Sequence, residues 1–240
     1  MAARKKTAKK KAKKRAKKKK ARGYRARRFG KDEKLRAARI VSKLYETYPD
    51  HECALDHRNA FELTAATILS AQCTDERVNM VTPDLFERWP TPAALARAPI
   101  EDIEDVVRST GFFRNKAKNL QGMAIRVEEV YGGEIPQEMD DLLTLPGVAR
   151  KTANVVRGVI WGLADGVVVD THVKRISNLL GWTKRSDPVQ IERDLMALHP
   201  KDVWIDLSHM IIHHGRRTCI ARRARCDECE LATDCPSSEA

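Results

Sequence analysis

Residues 145–175 read LPGVARKTANVVRGVIWGLADGVVVDTHVKR, and this stretch decides the fold. Pro146 fixes its own φ and Gly147 tolerates conformations that other residues avoid, which predicts a tight turn. Apolar residues then recur at helical spacing, so we expect an amphipathic helix over residues 150–163. If the preceding helix ends near Leu143, the unit is a helix–hairpin–helix.

Two helices in this stretch begin with side chains that could take part in catalysis. The amides of the turn lie at a helix N-terminus, where an anion such as a DNA phosphate binds well. Lys151 lies in the first turn of that helix, where an acid would suit the dipole better. Asp170 stands where an N-cap belongs, before Thr171. Taken singly, Lys151 is typical of a surface lysine and Asp170 of a plain cap.

The motifs at residues 145–156 and 169–175 resemble the endonuclease III family of DNA base-excision glycosylases, and the resemblance extends over about residues 39–235. It implies that Lys151 is a nucleophile and that Asp170 assists it. It also implies that the hairpin, including Gly147 and Ala149, binds a DNA phosphate. Ala149 stands where the family often has a second glycine, and its methyl group is small enough to keep that role.

The net charge of +12 conceals two different regions. Residues 1–30 contain 17 Lys and Arg and no acid, whereas residues 31–240 contain 28 basic residues against 33 acids, a formal charge of −5. With almost no apolar residues for a core, residues 1–30 are predicted to be a disordered basic tail. The tail would add salt-sensitive DNA affinity, or alternatively serve as a solubilising extension or a targeting signal.

Apolar periodicity predicts helices along most of the chain, and the run at residues 167–169 is too short for a useful strand, so we expect an all-α fold. The predicted helices cover 34–48, 59–71, 78–89, 91–97, 100–109, 115–131, 150–163 and 203–214. With the family's organisation, they imply two helical domains with a cleft between them. Residues 53–164 would form a six-helix domain that ends in the hairpin helix. Residues 31–52 and 165–240 would form the second.

Two more residues follow from the resemblance. The family fills the gap left by an extruded base with a glutamine and an apolar side chain, which by position are Gln72 and Phe112. A hydrogen-bonding side chain and an apolar wedge can replace the lost pairing and stacking. Without the resemblance, Gln72 is typical of a helix cap and Phe112 of a core residue.

Four of the six cysteines lie near the C-terminal end, at Cys219, Cys226, Cys229 and Cys235, with six, two and five residues between them. In a chain without an export signal, four thiols so close together favour a metal site over disulfides. One close pair with longer arms suits an iron–sulfur cluster, although spacing alone leaves zinc open. The resemblance implies a 4Fe–4S cluster, which this family carries with the same spacing.

The loop between the first two of these cysteines contains three arginines, Arg222, Arg223 and Arg225. A loop fixed at both ends would hold them for phosphate contact, and a solvated basic turn is the alternative. The helix before the loop carries three histidines, His209, His213 and His214. We interpret these as surface or packing residues, because four thiolates already complete a cluster.

Together these features predict a bifunctional enzyme that removes oxidised pyrimidines from damaged duplex DNA. An uncharged Lys151 amine would displace the base and then cut the abasic site through an imine by β-elimination. A pyrimidine-dimer glycosylase with the same lysine chemistry is one alternative, and a non-catalytic DNA-binding scaffold is another. With no apolar run of about 18 residues and no signal peptide, we expect a cytoplasmic monomer that associates with the nucleoid.

Overall fold

A computed structural model describes residues 26–240, and within that range the chain forms helices and loops with no β-strand. The eleven α-helices of this part are α1 Lys31–Thr47, α2 Ala60–Leu69, α3 Asp75–Arg88, α4 Pro92–Arg97, α5 Ile100–Val107, α6 Phe113–Tyr131, α7 Met139–Leu142, α8 Arg150–Trp161, α9 Thr171–Leu179, α10 Pro188–Leu198 and α11 Trp204–Arg217. The prediction of an all-α fold is confirmed. None of these helices is both long and apolar enough to cross a membrane.

Side-chain caps explain where many of the helices begin. Asn59, Thr74, Thr91, Asp170 and Asp187 each accept a hydrogen bond from the backbone N–H three residues later. Each cap satisfies an amide that the helix itself leaves without a partner. The last of them begins α10, a helix that apolar periodicity did not predict.

The buried apolar side chains form two separate clusters. The first is built from α2 to α8, and its largest enclosed side chains include Leu63, Leu85 and Met123. The second joins α1 to α9, α10, α11 and the C-terminal loop around Trp182 and Ile40. We propose that these clusters are the cores of the two predicted domains, because α1 lies with the C-terminal helices and not with its neighbours in sequence.

The predicted basic tail falls mostly outside the described residues, which begin at residue 26. Arg27, near its end, is fixed to the second core. Its backbone N–H donates to Asp194 Oδ1 at 2.9 Å, and its Nη1 donates to the Gly181 carbonyl at 2.8 Å. Its Nη2 also pairs with Glu33 in the first turn of α1. The folded part of the chain therefore includes Arg27.

Candidate active site

A cleft of about 830 Å³ is lined by residues from both cores. Lys151 on α8 and the loop between α2 and α3, which includes Gln72, line it from the first core. Asp170 and one face of α11 line it from the second. The structure therefore brings together the lysine and the aspartate that the sequence placed at two helix starts.

The hairpin before α8 is shaped by Gly147. This residue has φ +80°, and a Cβ there would lie only 2.9 Å from the Asn119 Cβ, so a side chain would be strained in conformation and in space. The Val148 N–H donates to the Leu145 carbonyl at 3.1 Å and closes the turn. Ala149 then takes the N-cap position of α8 without a side-chain cap. The start of α8 is thus open to an external anion.

Asp170 is fixed by its own helix. Its Oδ1 accepts a hydrogen bond from the Val173 N–H at 2.7 Å, and its carbonyl accepts one from the Lys174 N–H at 2.9 Å. The half-buried carboxylate is therefore held at the mouth of α9, facing the cleft that Lys151 lines. A cap and a catalytic acid–base group are compatible uses of this side chain, because the cap occupies one oxygen.

His172 and Arg216 also line the cleft, a position that was predicted for neither of them. Burial lowers the pKa of the His172 imidazole, and the Asp170 carboxylate partly opposes that shift. Arg216 on α11 donates from Nη2 to Asp75 Oδ2 at 2.7 Å and so joins the second core to α3 at the cleft. No local pattern could have paired Arg216 with Asp75, which lies 141 residues earlier.

The three histidines of α11 have different surroundings. His209 and His213 line the cleft, and burial lowers the pKa of each. His214 is buried, with its Nδ1 3.0 Å from the Tyr48 hydroxyl, and burial lowers its pKa to about 4. Packing roles fit all three, and the cleft position of His209 and His213 was not predicted.

Gln72 and Phe112 share an unusual backbone conformation. Within residues 26–240 they are the only non-glycine residues with positive φ, at +54° and +49°. Phe112 is 69% exposed, which does not fit a core residue. Gln72 is exposed and does not cap α3, since Thr74 does. Such costly conformations concentrate at binding and active sites.

The four C-terminal cysteines line a second cavity of about 510 Å³. Each is half-buried and none is in a disulfide. In the described part of the chain, no three His, Cys, Asp or Glu side chains approach closely enough to hold one metal ion. Four thiol sulfurs are a donor set that zinc and iron–sulfur clusters both use.

The surroundings of these sulfurs also suit a cationic group. Burial raises the pKa of the Cys229 and Cys235 thiols, and the neighbouring cysteine sulfurs raise it further. Thiols in such a place become thiolates only when a metal supplies the balancing charge. Arg175 on α9 contributes a donor, with its Nη1 3.4 Å from the Cys219 Sγ.

The arginine loop lies beside this cavity. Arg222, Arg223 and Arg225 are all exposed and border the space that the cysteines line. Arg225 also pairs loosely with Glu228, at 3.8 Å between Nη1 and Oε2. Their guanidinium groups are thus accessible to a phosphate backbone.

Comparison with known sequences places residues 65–201 in the family described as HhH-GPD superfamily base excision DNA repair protein. Endonuclease III of Synechocystis sp. is 55% identical over 208 residues, which cover 87% of this chain and 95% of the relative. Endonuclease III of Bacillus subtilis is 44% identical over 196 residues, 81% of this chain and 89% of the relative.

Solved structures show the same similarity. A non-covalent endonuclease III–DNA complex matches with a TM-score of 0.81 and 40% identity, over 85% of this chain and 96% of that one. A trapped endonuclease III–DNA covalent intermediate matches with the same TM-score and 41% identity, over the same shares of the two chains. The chain therefore belongs to the endonuclease III family of the HhH-GPD superfamily of base excision DNA repair proteins.

Proposed function

We propose that the chain is a bifunctional DNA glycosylase and abasic-site lyase, which removes oxidised pyrimidines from duplex DNA and then cuts the strand. Its family membership supports the reaction class. One observation carries the assignment to particular residues. Lys151 and Asp170, which belong to helices of different cores, line one cleft.

DNA is held by groups on both cores. The amides of Gly147 and of the open start of α8 donate hydrogen bonds to a backbone phosphate, and the exposed arginine loop neutralises others. Gln72 and Phe112, which are both exposed and both have a left-handed backbone, enter the gap left by the extruded base. The protein acts as a monomer on damaged duplex, and its DNA contacts associate it with the nucleoid.

Base removal begins with the uncharged amine of Lys151. Its nitrogen forms a bond to C1′ of the deoxyribose, while the bond from C1′ to the base nitrogen breaks and the base leaves with the electron pair and takes up a proton. The sugar ring then opens to an imine. The imine acidifies the C2′ proton, and its loss expels the 3′ phosphate by β-elimination.

Asp170 assists these reaction steps from a fixed position. Because the Val173 amide holds one carboxylate oxygen, the group does not have to be ordered during the reaction. The carboxylate accepts a proton from the attacking amine or stabilises the positive charge that develops on the sugar. Both uses need a negative charge at the mouth of α9.

Cys219, Cys226, Cys229 and Cys235 would hold a 4Fe–4S cluster through their thiolates. That bonding would fix the C-terminal loop, and with it the arginines, against the second core. The purified protein should be yellow-brown and contain four irons. Elemental analysis that finds one zinc and no iron would reject this assignment.

Kinetics on three matched duplexes test the function. They carry an oxidised pyrimidine, a preformed abasic site and a pyrimidine dimer, each in the same flanking sequence. We expect base release and strand cutting on the first and cutting on the second. Activity on the dimer duplex alone, or tight binding without any cutting, would contradict the proposal.

A further inference from the structure

Lys116 is a buried lysine to which the scheme above gives no role. It lies on α6, where only 3% of its surface is exposed. Its Nζ donates a hydrogen bond to the Thr110 carbonyl at 2.7 Å. Burial lowers the pKa of this amine, so enclosing it in its charged form is costly. Because burying a charged amine is unfavourable, we looked for a role of Lys116 other than packing.

The turn that carries Phe112 is bound by Lys116 at both ends. The Lys116 ammonium holds Thr110, and its backbone N–H donates to the Phe112 carbonyl at 3.1 Å. Between these anchors Gly111 has φ +72° and Phe112 has φ +49°. A bulky residue keeps a left-handed conformation only where its surroundings enforce it. The Lys116 side chain contributes one such constraint, at the Thr110 carbonyl.

We propose that Lys116 is a positioning residue, which holds the turn of Phe112 in the conformation that this side chain needs to enter the gap in the duplex. This role rests on the proposed function, in which the two residues replace an extruded base. A purely structural lysine would influence stability alone, whereas a positioning lysine influences extrusion specifically.

Lys116→Met tests the role, because methionine keeps the length of the side chain and removes its donor. Lys118→Met is the matched control, since Lys118 is an exposed lysine on the same helix. Three quantities are measured: base removal from duplex, fluorescence of 2-aminopurine placed opposite the lesion, and cutting of an abasic site in a single strand. Cutting in a single strand needs no extrusion from a duplex.

For Lys116→Met we expect base removal to slow by about tenfold to a hundredfold, as for other small misplacements of catalytic geometry. The 2-aminopurine signal should fall with it, while single-strand cutting and the melting temperature stay near those of Lys118→Met. Equal losses on duplex and single strand, or no loss on duplex, would overturn the role. If Lys116→Met does not fold, Lys116→Leu also lacks the donor and is judged by the same outcomes.

A double-mutant cycle separates this role from the function on which it rests. Phe112→Ala alone and Gln72→Ala alone should slow base removal from duplex. Lys116→Met should then add little to Phe112→Ala, because the loop it positions no longer carries the wedge. Additive effects would overturn the role of Lys116 and leave the wedge standing. Base removal unaffected by Phe112→Ala and Gln72→Ala would overturn the wedge, and the role of Lys116 with it.

Discussion

Helices α8 and α9 both begin at the cleft, yet they begin in opposite ways. α9 starts with Asp170, whose carboxylate accepts the Val173 amide at 2.7 Å. α8 starts with Ala149, which has no side-chain cap, after a turn that only a glycine fits. One helix start is therefore satisfied from within the protein, and the other is left open.

The difference separates two tasks. A capped start holds a catalytic carboxylate in one place, because the cap bond orders the side chain before substrate arrives. An open start leaves amides and the positive end of the dipole for a DNA phosphate. We propose that α8 receives the substrate near Lys151 and that α9 presents the group that assists the reaction. The first three predictions below each change one start and leave the other intact.

Asp170→Asn should have the largest effect. Asparagine caps a helix about as well as aspartate, so the melting temperature should stay the same while the charge is lost. Base removal should slow by roughly a hundredfold to ten-thousandfold, the usual contribution of a general acid–base group. Cutting of a preformed abasic site should suffer less, since no base remains to be expelled. Equal slowing of both steps, measured in single-turnover assays, would argue against this role.

Gly147→Ala should damage the open start of α8. The alanine would be held at positive φ, and its Cβ would contact Asn119. We therefore expect the free energy of unfolding to fall by about 1–3 kcal/mol and the binding of duplex DNA to weaken. Gly162→Ala is the control at the other end of α8, because its φ is also positive but nothing lies within 4 Å of the added methyl. Chemical denaturation and fluorescence anisotropy measure the two effects. Equal DNA affinity in both variants would count against a phosphate site at the hairpin.

Ala149→Asp should make α8 begin as α9 does. The new carboxylate would cap the helix and complement its dipole, which stabilises the fold by about 1 kcal/mol. It would also occupy the amides meant for phosphate and repel it, so duplex binding should weaken. Ala149→Gly adds neither cap nor charge and should change binding little. A variant that is more stable and binds duplex as tightly as before would contradict the comparison.

Deleting residues 1–25 should have the smallest effect on selectivity, because a basic tail contacts phosphates without reading a base. Binding to damaged and intact duplex should weaken alike, and the slope of log K against log salt should become shallower. The deletion stops before Arg27, which is fixed to the second core. An unchanged salt slope in titrations would show that the tail does not contact DNA.

Local sequence patterns predicted the two helix starts well. Proline and glycine favour the turn of the hairpin, and an aspartate before a helical pattern caps the helix that follows. Helix α8 therefore begins at Arg150 and helix α9 at Thr171, as expected. Helix α10 was missed, although its buried residues Ile191, Leu195 and Leu198 recur at helical spacing. Its start is also marked, by the cap Asp187 and by Pro188 at the first helical position.

Long-range features could not be predicted in this way. Nothing in a single sequence tells that Gln72 and Phe112 adopt left-handed backbones, since the conformation is disfavoured for both and is imposed by neighbours. The pairing of Arg216 with Asp75 likewise depends on how the two cores meet. The two backbone conformations and the Arg216–Asp75 pair are therefore visible only in the three-dimensional structure.

Borohydride trapping on Lys151→Gln tests the central claim most directly. If the Lys151 amine attacks C1′, an imine joins protein and DNA before the strand is cut, and borohydride reduces it to a stable covalent complex. The unaltered protein should therefore be trapped on duplex with an oxidised pyrimidine. Lys151→Gln, which retains a polar side chain of similar size, should bind the same duplex and give no trapped species. Trapping of Lys151→Gln at the unaltered rate would mean that another amine carries out the reaction.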